Sequence, residues 1–199
     1  MKKTTWITLS IIALLVIGGS LAYVYQSQQN NEQTINDSSV SDAEKFRLEY
    51  PKAAVDNRYV YASSEQVIST LEEGSGIVYL GFPECPWCQS LVPMIDEAAA
   101  AEGIDEVYYL NIREMREDGS SNYDALVAYL KEYLETDENG QPRIFVPDVT
   151  AVKDGEVMGR FMQEAGGPDE RTPDTYWNDE RKESAVTQLR EMMAATKES

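Results

Sequence analysis

Residues 77–82, IVYLGF, form an unbroken apolar run. A strand with one solvated face alternates apolar and polar residues. A continuous run of this length suits a central strand covered on both faces. Such a strand needs helices on either side of its sheet, and the flanking segments have the pattern to supply them. Ser63, with Gln66 three residues later, predicts a capping box opening a short helix to about Glu73, ended by Gly74-Ser75-Gly76. After the apolar run, Leu91, Met94, Ile95 and Ala98 fall at helical spacing, with Gly103 as the stop. Pro93 lies inside that helix, where a proline produces a kink.

The rest of the chain extends the alternation. RYVYA (58–62) and EVYYLNI (106–112) read as strands. NYDALVAYLKEYLE (122–135) is an amphipathic helix with Leu126, Tyr129, Leu130, Tyr133 and Leu134 on one side. ENGQP (138–142) is a turn. Residues 144–162 read as two strands joined at Asp154-Gly155, a strong hairpin signal. After a Gly- and Pro-rich stretch at 166–173, residues 180–196 are helical in pattern. The order β-α-β-α-β-α-β-β-α predicts an α/β domain over residues 43–199, its mixed central sheet flanked by helices.

Two further segments precede it. Lys2 and Lys3 are followed by a mostly apolar run from Thr4 to Tyr25. As a helix this run would reach about 33 Å, enough for a bilayer core of about 30 Å. Lysines on its N-terminal side and none just after it predict a single-pass anchor in the cell membrane, with the domain extracytoplasmic. The alternative is a secreted protein after signal cleavage, for which Ser20-Leu21-Ala22 offers small residues at the positions a signal peptidase reads. No cysteine lies near residue 20 to carry a lipid. Residues 26–42 are polar and read as a flexible linker.

Composition removes several classes of function. The net charge is −18, which argues against nucleic acid, whose phosphates must be met by Lys and Arg. The chain has no histidine, so Ser-His-Asp triads, Cys-His proteases and His-containing zinc sites are excluded. No phosphate-binding glycine loop is present.

Both cysteines lie in one motif, ECPWC, as Cys85 and Cys88. Where C-x-x-C follows a strand and opens a helix, the first cysteine meets unpaired N–H groups and the positive end of the helix dipole, which favour its thiolate. The second lies one turn on, within disulfide reach. Such a pair can exchange a disulfide: the first thiolate attacks, a mixed disulfide forms, and the second cysteine resolves it. Pro86 suits the first helical turn, where its missing N–H is not needed. Half of a zinc site is an alternative, but four protein ligands would then need a second chain. A purely structural disulfide is another, although so small a loop constrains little of the unfolded chain.

IVYLGFPECPWCQSLVPMIDEAAAAEG resembles the active-site segment of the thioredoxin superfamily: an apolar strand, C-x-x-C, then a helix with a proline five residues after the second cysteine, here Pro93. FVPDVTAVKDGEVMG resembles the same superfamily's segment in which a cis-proline precedes a strand-turn-strand. The resemblance covers about residues 56–197 and is nearest to small Gram-positive thioredoxin-like proteins, including bacteriocin transport accessory proteins. It implies a thioredoxin-like fold and a thiol–disulfide oxidoreductase in which Cys85 is the nucleophile and Cys88 resolves. It makes Pro147 the cis-proline, and Val146 and Pro147, with Pro86 and Trp87, the contacts to substrate. Trp87, between the cysteines, is expected to be exposed.

The resemblance has departures. Where many thioredoxins carry a buried acid six residues before the first cysteine, this chain has Tyr79. Glu84 is the other candidate modulator; a negative charge beside Cys85 would raise its pKa against the helix terminus. Residues 113–143 are longer than a minimal thioredoxin connection, and their stripe of Leu and Tyr is ordinary core spacing.

The resulting expectation is a membrane-tethered, extracytoplasmic thiol–disulfide oxidoreductase. Its partners are protein thiols and disulfides, a recycling redox protein and, through residues 4–25, the membrane. Its redox group is the Cys85–Cys88 disulfide, with no metal or organic cofactor. The alternative is an accessory or binding module for secretion or assembly, of the same fold, whose disulfide is static.

Overall fold

A computed structural model describes residues 40–163 and 166–197. The expected membrane segment, 4–25, and nearly all of the expected linker lie outside the described residues; no described helix is long and apolar enough to cross a membrane. The compact unit begins at Asp42.

Five strands form one sheet in the order β1-β3-β2-β4-β5: β1 (Tyr59–Tyr61), β2 (Gly76–Gly81), β3 (Val107–Asn111), β4 (Asp148–Lys153) and β5 (Glu156–Met162). The first three run parallel, while β4 pairs antiparallel with β2, and β5 with β4. The apolar hexapeptide thus lies at the centre of the sheet, as its composition predicts. Its side chains alternate between two cores. Ile77 and Tyr79 face a cluster built with α1 (Asp42–Glu49), α3 (Pro86–Ala101) and α7 (Asp179–Ala195). Val78 and Leu80 face a cluster built with α2 (Ser64–Glu73) and α5 (Ser121–Leu130). Short helices α4 (Arg113–Glu117) and α6 (Pro173–Tyr176) complete the unit.

Several expectations need correction. Helix α1 was not expected: DAEKFRLE has only Phe46 and Leu48 as sizeable apolar groups, and Leu48 is exposed. What holds α1 is Phe46, stacked between Tyr50 (centroids 4.4 Å apart) and Tyr59 (3.9 Å), with the Asp42 carboxylate accepting from the Tyr61 N–H. Ser63 caps α2 by accepting from the Gln66 N–H. Pro93 lies inside helix α3, as expected. Helix α5 stops at Leu130 and tightens to a 3₁₀ turn over Lys131–Tyr133. Leu126 and Leu130 are buried, but the tighter winding leaves Tyr133 exposed. The expected strand from residue 144 starts only at Asp148, because Pro147 has no N–H for the ladder.

The β4–β5 turn is as expected, with positive φ at both Asp154 (49°) and Gly155 (74°), the pair of values a two-residue hairpin with right-handed strands requires. The Gly155 N–H donates to Gly74 O, and a Cβ there would collide with the Glu72 carbonyl. This turn therefore locks the end of α2 against the hairpin.

At the start of β4, Asp148 is fully buried and bound by the Arg160 guanidinium from β5. Thr150 Oγ1 also donates to it, and Arg160 reaches the Tyr133 carbonyl. Burial raises the Asp148 pKa, with Arg160 opposing. Removing one member of a buried pair strands the other charge. Arg160→Met should therefore lower unfolding stability in urea by about 3–5 kcal/mol. Asp148→Leu/Arg160→Met should lose distinctly less, because no charge is left unpaired.

Candidate thiol–disulfide site

The site is built at the C-terminal end of β2. The chain leaves the sheet at Phe82, and the Cys85 N–H returns to the Phe82 carbonyl at 3.2 Å. Gln89 pins this loop by donating to the carbonyls of Pro83 and Glu49. Cys85 is the N-cap of α3, with extended φ/ψ of −83° and 113°, and Pro86 follows at the first turn. Cys85 Sγ accepts from the Cys88 N–H at 3.3 Å. It therefore occupies the place where a capping oxygen normally satisfies an orphan donor.

The two cysteines, both present as thiols, are in different surroundings. Cys85 keeps a small exposed edge of 6%, while Cys88 has none. The hydrogen bond with the Cys88 thiol is the largest influence on Cys85 and holds its pKa down to about 7. The N–H groups of Cys88 and Trp87 and the Arg116 charge act in the same direction, and burial opposes them. Cys88 is pushed far up, by burial first and then by Cys85 itself. One thiol is thus poised to ionise near neutrality, while its neighbour holds its proton.

The other predicted residues fall as follows. The Val146–Pro147 peptide is cis, and the register Leu80↔Asp148 puts it at the same end of the sheet as the cysteine loop. Pro147 is buried and Val146 half-buried. Pro86 is exposed. Trp87 is half-buried rather than exposed: its ring meets Tyr176 edge-on at 5.5 Å. Its carbonyl accepts from Ser90 Oγ, which in turn accepts from Trp177 Nε1 at 2.9 Å. The segment around α6 thus braces the helix start. Glu84 is exposed and paired with Arg113 at 3.1 Å, so its charge is met on the spot and it is not among the main influences on Cys85. Tyr79 points into the core, in the same cluster as Cys88.

Sequence reasoning overlooked Arg116 and Arg113. The long connection after β3 was read for its Leu and Tyr packing. Its first turn, REMRE, instead brings two arginines to Phe82, their guanidinium carbons 5.1 and 5.9 Å from the ring centroid. Two arginines three apart in so acidic a chain were the available signal. Beside the motif, a cleft of about 430 Å³ is lined by Pro51, Pro83, Glu84, Pro86 and Pro173, among others.

C-x-x-C at the mouth of α3 and the cis-proline before the β4–β5 hairpin form the arrangement the resemblance implied, within a mixed sheet of order β1-β3-β2-β4-β5. The fold is thioredoxin-like. Among solved structures the chain is similar to oxidised thioredoxin O2 from Arabidopsis thaliana, at 16% identity, covering 57% of this chain and 89% of that chain with a TM-score of 0.37. No protein-family model matches the chain, and no curated protein does.

Alkylation of Cys85 should rise with pH through a midpoint near 7, as its thiolate forms. Cys88→Ala should move that midpoint up toward the ordinary thiol value of 9.0. Arg116→Gln should move it up by less, since its charge is the smaller influence.

Proposed function

We propose that this chain is a thiol–disulfide oxidoreductase, tethered to the membrane by residues 4–25, with its domain on the extracytoplasmic side and protein thiols and disulfides as substrates. The observation that carries the activity is the division of labour at α3: an ionisable, slightly exposed Cys85 capping the helix, and a protonated, buried Cys88 one turn on. The tether rests on the apolar run and its flanking lysines.

In the reducing direction, Cys85 thiolate attacks one sulfur of a substrate disulfide and the other substrate sulfur leaves as a thiolate. Cys88 then loses its proton and attacks Cys85 Sγ, closing the Cys85–Cys88 disulfide and releasing the second substrate sulfur. Two electrons pass to the substrate, and two protons follow them to its thiols or to solvent. The reverse sequence oxidises a dithiol. Val146 and Pro147 supply the backbone against which an extended substrate lies, with Pro86 and Trp87 at its flank. No metal or organic cofactor enters the cycle, and a second redox protein restores the pair.

A strongly oxidising pair needs a heavily stabilised thiolate in its reduced form. A Cys85 pKa near 7, beside a Cys88 that resists ionisation, is a moderate stabilisation. The reduction potential, equilibrated against dithiothreitol, should therefore fall nearer the thioredoxin value of about −270 mV than the strong-oxidant value of about −120 mV. A value well below about −300 mV would indicate a structural disulfide instead. Cys88→Ser should accumulate mixed disulfides with surface proteins, and Cys85→Ser should not. Full function of a Cys85→Ser/Cys88→Ser protein would favour the accessory-module reading.

A further inference from the structure

The cysteine motif occupies one end of α3, and a cavity of about 840 Å³ opens farther along the same helix, between α3 and α7. Its size falls within the range of sites that hold small ligands, roughly 300–1,000 Å³. Its apolar wall is Pro93 and Met94 from α3, Val186 from α7, and Trp177 from the segment between α6 and α7. Neither cysteine lines it, nor does Val146 or Pro147, so it lies outside the site described above.

Two observations connect this cavity to the motif. The first is the surface. Lys52, Pro173 and Asp174 line both the cavity and the cleft of about 430 Å³ beside Glu84 and Pro86, so the two are neighbours along one groove that leads away from the motif. The second is hydrogen bonding. Ser90 lines the cavity, and its hydroxyl donates to the Trp87 carbonyl between the cysteines while accepting from Trp177 Nε1. The polar edge of the indole is thereby satisfied, which leaves its ring as a fixed apolar contact in the wall. Anchored tryptophans of this kind supply much of the energy where one chain binds another.

The rim selects the kind of occupant. Lys52 and Lys182 are exposed there and make no ion pair among the described residues. Glu97 and Glu183 are exposed on the same rim. A site for phosphate or a lone carboxylate would carry cations without acids. A rim of both signs suits a peptide backbone, which presents an N–H and a C=O at nearly every residue. Distance then sets a spacing. Cys85 and Pro93 are eight positions apart along α3, about 12 Å at ~1.5 Å per residue. An extended chain covers that in about four residues, at ~3.3 Å each.

We propose that the α3–α7 cavity is a second contact for substrate. An extended polypeptide whose cysteine reacts at Cys85 lays a large apolar side chain, about four residues away along its own sequence, between Met94, Trp177 and Val186. The substrate class is therefore unfolded or extended protein segments in which a cysteine lies near such a side chain, rather than small disulfides. This inference rests on the exchange activity proposed above.

The test uses the full chain, reduced, and short peptides whose single cysteine is joined by a disulfide to a nitrobenzoate thiol, coloured on release. Cys85 thiolate attacks the peptide sulfur, and the nitrobenzoate, the better leaving group, departs as its thiolate. Cys88 then closes the Cys85–Cys88 disulfide and frees the peptide thiol, so the chain gives up two electrons and the probe takes them. The peptides are serine and glycine throughout, with a single leucine placed one or four residues before or after the cysteine. Leucine four residues away on one side should quicken colour release by about tenfold, the scale of burying such a side chain. Leucine next to the cysteine should give much less. Val186→Glu puts a charge in the cavity wall and should bring the ratio of leucine to leucine-free peptide back toward one; a general loss of activity cancels in that ratio. The peptide series on the native chain stands whether or not Val186→Glu folds. Equal rates for all peptides, an equal gain at both spacings, or a gain that survives Val186→Glu would overturn the cavity as a substrate contact. A native chain that releases no colour from any peptide would instead overturn the exchange activity itself, and this inference with it.

Discussion

Strand β2 has no solvent on either side, and the chemistry at its end follows from that burial. Because one face of β2 must be covered along its length, α3 is drawn down onto Ile77 and Tyr79, and Cys88, on the inner side of the first turn, goes into the core with it. Cys85 sits one turn earlier, at the mouth of the helix, where the chain is still emerging from the sheet. A single packing requirement therefore places two identical thiols in opposite environments. In one, helix N–H groups favour the charged form; in the other, desolvation suppresses it.

Charge is handled locally around this pair. The chain is strongly acidic, and a net negative field would oppose a thiolate. Arg113 pairs with Glu84 and Glu117, and the Arg116 charge favours the Cys85 thiolate. The nearest acid is thereby offset without burying an ion pair at the site. A buried pair does exist, Asp148 with Arg160, but it lies beyond Pro147 and ties β4, β5 and the turn after α5 together. That tie orders the approach to Val146 and Pro147, so the segment that would meet substrate is held by the sheet rather than by its own loop.

Much of this was legible in the residues. Continuous apolar character at 77–82 predicted a doubly covered strand, and Asp154-Gly155 predicted a tight hairpin, because in each case a local property of the chain leaves few alternatives. The same holds for Cys85 and Pro86 at a helix start, and for Pro147 as the break before β4. Helix α1 was illegible because its stability comes from one phenylalanine stacked between tyrosines that are distant along the chain. The end of α5 was misjudged because apolar spacing does not record where a helix tightens.

The sequence by itself determined the sheet's centre, the alternation of strands and helices, the identity of the two cysteines and their spacing along the helix. These depend on neighbours within a few residues, whose chemistry is written in order. Only the tertiary structure decided that Trp87 rests on Tyr176, that the Arg116 charge acts on Cys85, and that Tyr79 is buried in the same cluster as Cys88. Those relations join residues from separate elements. Desolvation and hydrogen bonding act through space, at distances that exist only once the sheet and its helices have closed on each other.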